Sequence, residues 1–289
     1  MTPEISQPPL LPAATRLGLA RLRVTDLDRA LEFYREGLGL IDVRREGDTV
    51  WLAPAAGAKP ILVLETGPGV RRKPRASTGL YHIALRTPDR SSLARLLRRL
   101  AVRGVPFSGF ADHAVSEALY LNDPDGNGLE LYRDRPRAEW PMANGVVSMT
   151  TDPLDTQALL DEAAGEDNAA LDPRTDLGHV HLHVSNLDSA EAFWSGVIGF
   201  DVMQRGYPGA LFVSAGGYHH HLGLNTWAGP QHPPENSVGL AWFTLVLPAE
   251  ADRAALLARA AAANVPVTDE SGVPLLRDRD GNAVLIEVE

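Results

Sequence analysis

From residue 17 the chain alternates apolar and polar side chains, Leu17-Gly18-Leu19-Ala20-Arg21-Leu22-Arg23-Val24, then turns at Asp26 into an amphipathic stretch that ends at Gly39. Alternation with period two marks a half-buried strand, and an acidic cap ahead of an apolar stripe marks a helix start. The pattern returns 160 residues later as Leu177-Gly178-His179-Val180-His181-Leu182-His183-Val184, with Asn186 at the cap. The match runs on through Phe33-Tyr34 against Phe193-Trp194 and Gly39-Leu40 against Gly199-Phe200. A fainter pair sets Gly79–Leu85 beside Gly239–Leu245. Each is followed by a helical pattern, 90–103 or 250–263, and later by Asp123-Pro124-Asp125-Gly126-Asn127 or Asp278-Arg279-Asp280-Gly281-Asn282. Glycine after aspartate supplies the positive φ of a tight hairpin. The spacing therefore predicts an α+β chain of four βαβββ modules, near 15–66, 78–133, 176–227 and 238–289. Modules one and two make a first repeat, 15–133, and modules three and four a second, 176–289.

Two segments fall outside the repeat. Residues 1–14 read as a flexible N-terminal arm, because Met1–Pro9 lacks the basic-then-apolar layout of a signal peptide. Residues 134–175 form a connector rich in proline and acidic residues, with a short helix predicted at Thr156–Ala163. Structureless loops of that length are uncommon inside compact domains, so it is expected to wrap from one domain to another.

Composition narrows the chemistry. At 289 residues and 44% hydrophobic content the chain can bury a sizeable core. A net charge of −10 argues against nucleic acid or an acidic membrane surface as partner, since both call for basic patches. No run approaches the roughly 20 apolar residues of a membrane span, so the expectation is a cytoplasmic protein with a small-molecule partner. With no cysteine, a transition metal would have to be held by His, Asp or Glu, and nine histidines are available.

The repeated Leu-Gly-x-x-x-Leu-x-Val-x-x-Leu-Asp strand, the run Tyr120-Leu121-Asn122-Asp123-Pro124-Asp125-Gly126-Asn127-Gly128-Leu129-Glu130-Leu131-Tyr132 and the run Gly217–Trp227 resemble the vicinal oxygen chelate superfamily of glyoxalases, bleomycin-resistance proteins and extradiol dioxygenases. Within it the likeness is to two-repeat, catechol 2,3-type ring-cleaving dioxygenases. The resemblance covers nearly all of the chain outside the arm and connector. It implies two open, mixed-sheet barrels, each made by two modules curled around a shared cleft.

In that superfamily the metal is held by the first strand of each paired module and the last strand of one or both. The first-strand positions here read Leu19, His82, His179 and Trp242, and the clear last-strand positions read Glu130 and Leu285. In module one only Glu65 stands near the corresponding place. Sequential pairing leaves no complete ligand set, whereas pairing module two with three, and one with four, yields His82, His179 and Glu130. Two histidines and one carboxylate are the set by which non-haem Fe(II) enzymes leave coordination positions open. The resemblance further implies His219 as acid/base, Tyr120 as hydrogen-bond partner of a bound hydroxyl, and His113 as an additional active-site histidine. His181, His221 and Trp227 are candidate substrate contacts. The expected activity is extradiol cleavage of a catechol-like aromatic with O2, using Fe(II) or alternatively Mn(II), in a chain that leaves room for a homo-oligomer. Two rivals share the fold: a glyoxalase-like lyase or isomerase, disfavoured by the single clear glutamate, and a non-catalytic, drug-sequestering binder of flat aromatics, which needs no metal.

Overall fold

The computed structural model describes residues 10–143, 146–163 and 170–289. Module one contributes β1 (Arg16–Arg23), β2 (Ile41–Glu46), β3 (Thr49–Ala53) and β4 (Leu62–Glu65), and module two β5 (Gly79–Thr87), β6 (Phe107–Asp112), β7 (Ser116–Asn122) and β8 (Gly128–Asp134). The connector holds a short hairpin, β9 (Met142–Ala143) with β10 (Val146–Val147). Module three gives β11 (Asp176–His183), β12 (Asp201–Gln204), β13 (Ala210–Ser214) and β14 (Leu222–Asn225); module four gives β15 (Gly239–Leu247), β16 (Thr268–Glu270), β17 (Val273–Arg277) and β18 (Ala283–Val288).

These strands make two open, eight-stranded mixed sheets that cross the repeat. One runs β16-β17-β18-β15-β1-β4-β3-β2 and joins modules four and one; the other runs β12-β13-β14-β11-β5-β8-β7-β6 and joins modules three and two. Each is stitched at its middle by the two first strands, antiparallel with bulges: β1 against β15 and β11 against β5.

Helices cover the sheets. α1 (Leu27–Leu31) and α4 (Leu187–Glu191) each widen into a π-helical stretch, Glu32–Gly37 and Ala192–Ile198. Asp26 and Asn186 cap their first turns by accepting from the amides of Arg29 and Ser189, and Gly39 and Gly199 follow their ends at φ of 91° and 105°, where only glycine is free of Cβ strain. α2 (Arg90–Val102) and α5 (Glu250–Ala262) occupy the predicted helical segments of modules two and four, and α3 (Thr156–Asp161) lies in the connector.

The helices also tie sequential modules together. The buried Tyr34 of module one donates its hydroxyl to Asp123 in the hairpin turn of module two, at 3.1 Å. At the matching place Trp194 of module three donates its indole N–H to Asp278 in the turn of module four, at 3.2 Å. Arg99 and Arg259 repeat the theme, donating to the carbonyls of Gly37 and Val197 at the ends of the first and third helical stretches. Sheets thus join modules crosswise while helix-to-turn contacts join them in sequence.

Part of the N-terminal arm expected at 1–14, residues 1–9, lies outside the described residues. Its remainder is docked: Leu11 is buried, and its amide donates to the carbonyl of Gly199 at 2.9 Å. Of the connector, 144–145 and 164–169 lie outside the described residues. Val147 and Met149 pack with Trp140, Val115 and Tyr218 on the flank of the module two–three sheet.

Candidate metal centre

Strand register determines which side chains share the concave face of the module two–three sheet. One row across it reads Glu130, Ala84, His179; the next reads Gly128, His82, His181, Gly223. Each bulky polar residue has a small neighbour. A Cβ at Gly223 would lie 2.7 Å from the ring of His181, and one at Gly128 would lie 2.0 Å from the carbonyl oxygen of Tyr81. The rows close around the three side chains because their neighbours are alanine and glycine.

His82 Nε2 and His179 Nε2 each lie 3.0 Å from the same Glu130 oxygen, Oε2. The three residues are 4%, 1% and 3% exposed for His82, His179 and Glu130, and one donor atom from each lies within 4.8 Å of the others. His179 has hydrogen-bond geometry to the carboxylate, whereas His82 Nε2 has no hydrogen-bond partner among the described residues. A buried ring nitrogen without a partner is costly unless something else uses its lone pair. Burial would raise the Glu130 carboxyl, but His179 and His82 outweigh it and hold it well below the usual range. Burial pushes His179 down to about 4, so its ring is neutral at pH 7. A carboxylate and neutral imidazoles are the forms in which these side chains bind a metal, and the group fits a divalent cation on donor type, spacing and burial.

Beside the trio opens a cleft of about 970 Å³, lined by His82, Glu130, Tyr120, His113, His181, His220 and Trp227 among others. Tyr120 stands opposite Glu130 in the β7–β8 pairing. Its hydroxyl is 2.7 Å from His113 Nε2, while His113 Nδ1 is 2.7 Å from the carbonyl of Thr150. A carbonyl only accepts, so Nδ1 carries the proton and, in the neutral ring, Nε2 accepts from Tyr120. The tyrosine oxygen keeps its lone pairs for the cleft. Burial first, then Glu130, drives the Tyr120 pKa well above its ordinary value, so the hydroxyl stays protonated.

The histidine run differs from expectation. His219, expected at the substrate, is fully buried and does not line the cleft. Its Nε2 lies 2.8 Å from Asp134 Oδ1, and its Nδ1 lies 2.8 Å from Nδ1 of His220. His220 is the cleft residue, its ring centroid 4.2 Å from that of His179. The reason is local: Gly216 and Gly217 adopt φ of 61° and 65°, and the histidines that follow precede β14, so strand alternation does not govern them. His221 likewise faces away from the cleft; its Nδ1 lies 2.9 Å from Ser214 Oγ and accepts from the Ala215 amide, and burial pushes it down to about 3. Asp134, held by His219, Tyr218 and Arg86, carries no signal of its own in the sequence beyond ending the strand that carries Glu130. Of the remaining substrate candidates, His181 lines the cleft with its Nε2 on the Asn225 side-chain amide, 3.0 Å away. Trp227 forms an outer wall, 47% exposed, with its indole N–H on the Pro208 carbonyl.

The module one–four sheet has a different interior at the matching positions. Arg21 stands opposite Trp242 as His181 stands opposite His82. Its guanidinium lies 2.5 Å from Glu65, the one carboxylate of module one near a ligand position, and 5.7 Å from the Trp242 ring centroid. With Leu19, Trp242 and Leu285 at the ligand positions and Glu65 taken by Arg21, the described residues here offer no complete metal-ligand set.

A model of the Glyoxalase/Bleomycin resistance protein/Dioxygenase superfamily matches residues 16–131 and 176–286. A Bacillus subtilis (strain 168) protein named catechol-2,3-dioxygenase is 48% identical over 240 residues, 81% of this chain and 83% of its own length. Among solved structures, a putative dioxygenase from Bacillus subtilis aligns with TM-score 0.65 at 16% identity over 97% of this chain and 86% of its own. Glyoxalase I from Zea mays aligns with TM-score 0.58 at 17% identity over 94% and 92%. At those identities the structural matches speak for the fold alone. The family match over both repeats, with a relative at 48% identity, shows that the chain belongs to the Glyoxalase/Bleomycin resistance protein/Dioxygenase superfamily.

Proposed function

We propose that this chain is an extradiol ring-cleaving dioxygenase acting on a catechol-like aromatic with O2, using Fe(II), or failing that Mn(II), held by His82, His179 and Glu130. The observation that carries the reading is the buried trio opening onto an aromatic-walled cleft; the name of the 48% identical relative points the same way. The bound metal would supply chelation of two adjacent substrate oxygens and electron exchange between substrate and O2. The protein's own side chains do the rest. His220, kept neutral because burial pushes its pKa well below the ordinary value, takes a proton from a substrate hydroxyl. Asp134 accepts from His219 Nε2–H, which leaves His219 Nδ1 to accept from His220 Nδ1–H and His220 Nε2 as the free basic nitrogen. Tyr120 donates its hydroxyl to His113 Nε2 and offers its oxygen to accept from a substrate hydroxyl. Tyr81, Trp227 and His181, in mutual ring contact, wall the cleft against bulk water.

A glyoxalase-like reaction with a carboxylate from each module is disfavoured by register: the position matching Glu130 in module three is Gly223, whose missing Cβ space the His181 ring fills. Anaerobic loading with Fe(II), followed by catechol and air, tests the proposal. Equimolar uptake of O2 and catechol with a yellow ring-opened product is expected, and loss of both with Glu130→Ala; metal binding without uptake on any catechol would refute it.

A further inference from the structure

The segment joining β4 to β5 carries Arg71, Arg72, Lys73 and Arg75 within five positions, in a chain of net charge −10. Arg71 is turned to the Glu235 carbonyl, but Arg72, Lys73 and Arg75 line the cleft. Among the described residues no carboxylate forms an ion pair with any of the three. The acids that share the cleft are engaged elsewhere: Asp125 by Arg29 and Thr25, Asp123 by Tyr34 and Asn127, and Glu130 by the two histidines.

Lys73 is the most telling of them. It is half-buried, and its one hydrogen bond among the described residues goes to the Leu80 carbonyl at 2.9 Å, which leaves two ammonium N–H groups to serve. Burial pushes its pKa down to about 8 with no anion opposing the shift. Lysine is seldom buried without a partner, and an unpaired buried charge is costly. The arrangement is also fixed in place. The Arg71 amide donates to Asn236 O at 3.1 Å, Val238 donates to Arg71 O at 2.8 Å, the Ser77 hydroxyl bonds Pro74 O at 2.6 Å, and the Thr78 amide donates to Gln231 O at 2.8 Å. Three cations are thus held on a braced rim in a cleft whose acids are already committed.

We propose that Lys73, with Arg72 and Arg75, forms a subsite for a carboxylate on the substrate, so that the preferred substrate is an anionic catechol rather than catechol itself. The inference rests on the dioxygenase reading for the identity of the ring. Lys73 Nζ lies 3.5 Å from where a Gly79 Cβ would stand, three residues before His82 on β5. At the rise of a strand that is on the order of 10 Å along the sheet, a span suited to a carboxylate carried one or two carbons from the ring. Lys73 supplies a short charge-assisted bond, and the exposed arginines steer and clamp.

The test is calorimetric binding under anaerobic conditions, with and without Fe(II), using 3,4-dihydroxyphenylacetate, 3-(2,3-dihydroxyphenyl)propanoate, the neutral amide of each, and catechol. At least one acid is expected to bind about 10-fold or more tightly than its own amide. That preference should shrink with added salt, survive in Lys73→Arg, and fall below about 2-fold in Lys73→Met and in the Arg72→Gln/Arg75→Gln double variant. The exposed Arg45→Gln serves as a control that keeps it. Acid and amide binding equally, or a preference unchanged in both loss variants, would overturn the subsite. O2 uptake on the same panel separates the two claims: acid preference without turnover of any catechol sinks the reaction and leaves the subsite, whereas turnover of catechol with no acid preference does the reverse.

Discussion

Glu130 carries the candidate metal centre at the scale of a single residue, because among the described residues it is the carboxylate that both His82 and His179 approach, at 3.0 Å each. Glu130→Ala is expected to weaken metal binding by at least about 100-fold, read by equilibrium dialysis, and to abolish O2 uptake; an unchanged metal content would place the metal elsewhere. The proton path gives a graded expectation. His220→Ala should lower kcat by about 10²–10⁴-fold, the range for losing a general base. His219→Gln, which acts on the reaction only through His220 and Asp134, should cost less and displace the acid limb of the kcat/KM profile. Equal losses with no change in profile would speak for mere packing. The two histidines mark the limit of sequence reading. Positions on regular strands, His82, Glu130 and His179, could be placed by period two, but positive-φ Gly216 and Gly217 break that period just ahead of the His219-His220-His221 run, and nothing in the residue types says which ring enters the cleft.

At the scale of elements, close approach decides which residues the strands can hold. A Cβ at position 223 meets the His181 ring at 2.7 Å, so Gly223→Ala is expected to destabilise the fold by about 1–3 kcal/mol through overpacking and to reduce metal affinity by displacing His181 toward His82. A variant as stable as the parent by chemical denaturation would contradict this. The helix-to-turn latches are a second device: Tyr34→Phe removes one of several hydrogen bonds to buried Asp123 and should cost about 1 kcal/mol. The helices and the hairpin turns were legible from spacing, caps and Asp-x-Asp-Gly-Asn. The latches were not, because Tyr34 and Trp194 read as ordinary apolar-face residues until the turn of the next module is seen against them. The arginines of α2 tie it to its neighbours: Arg90 pairs with Glu117 and Arg99 closes the end of a neighbouring helical stretch.

Across the whole molecule one architecture is used twice with different interiors. The module two–three sheet presents histidines and a glutamate, the module one–four sheet an Arg21–Glu65 pair with the Arg21 guanidinium over Trp242. Buried neutral histidines also make the metal-free fold acid-sensitive. His179 and His183 are pushed down to about 4 and His221 to about 3, each first by burial, against an ordinary value near 6.5. Below that value the unfolded chain takes up protons that the folded chain refuses, so stability declines as pH falls from about 7 toward 4. Thermal midpoints of the metal-free protein should therefore drop steadily between pH 7.5 and 5; a flat profile would contradict the burial of these rings. Fe(II) at about 100 times its dissociation constant should add about 2.7 kcal/mol at neutral pH, and at most about 0.4 kcal/mol at the same concentration in Glu130→Ala. The most direct measurement of all is oxygen consumption by the anaerobically iron-loaded protein supplied with catechols. One O2 taken up per ring opened, and none by Glu130→Ala, is the outcome expected; a protein that binds one equivalent of iron at these residues yet consumes no oxygen with any catechol would contradict the central claim.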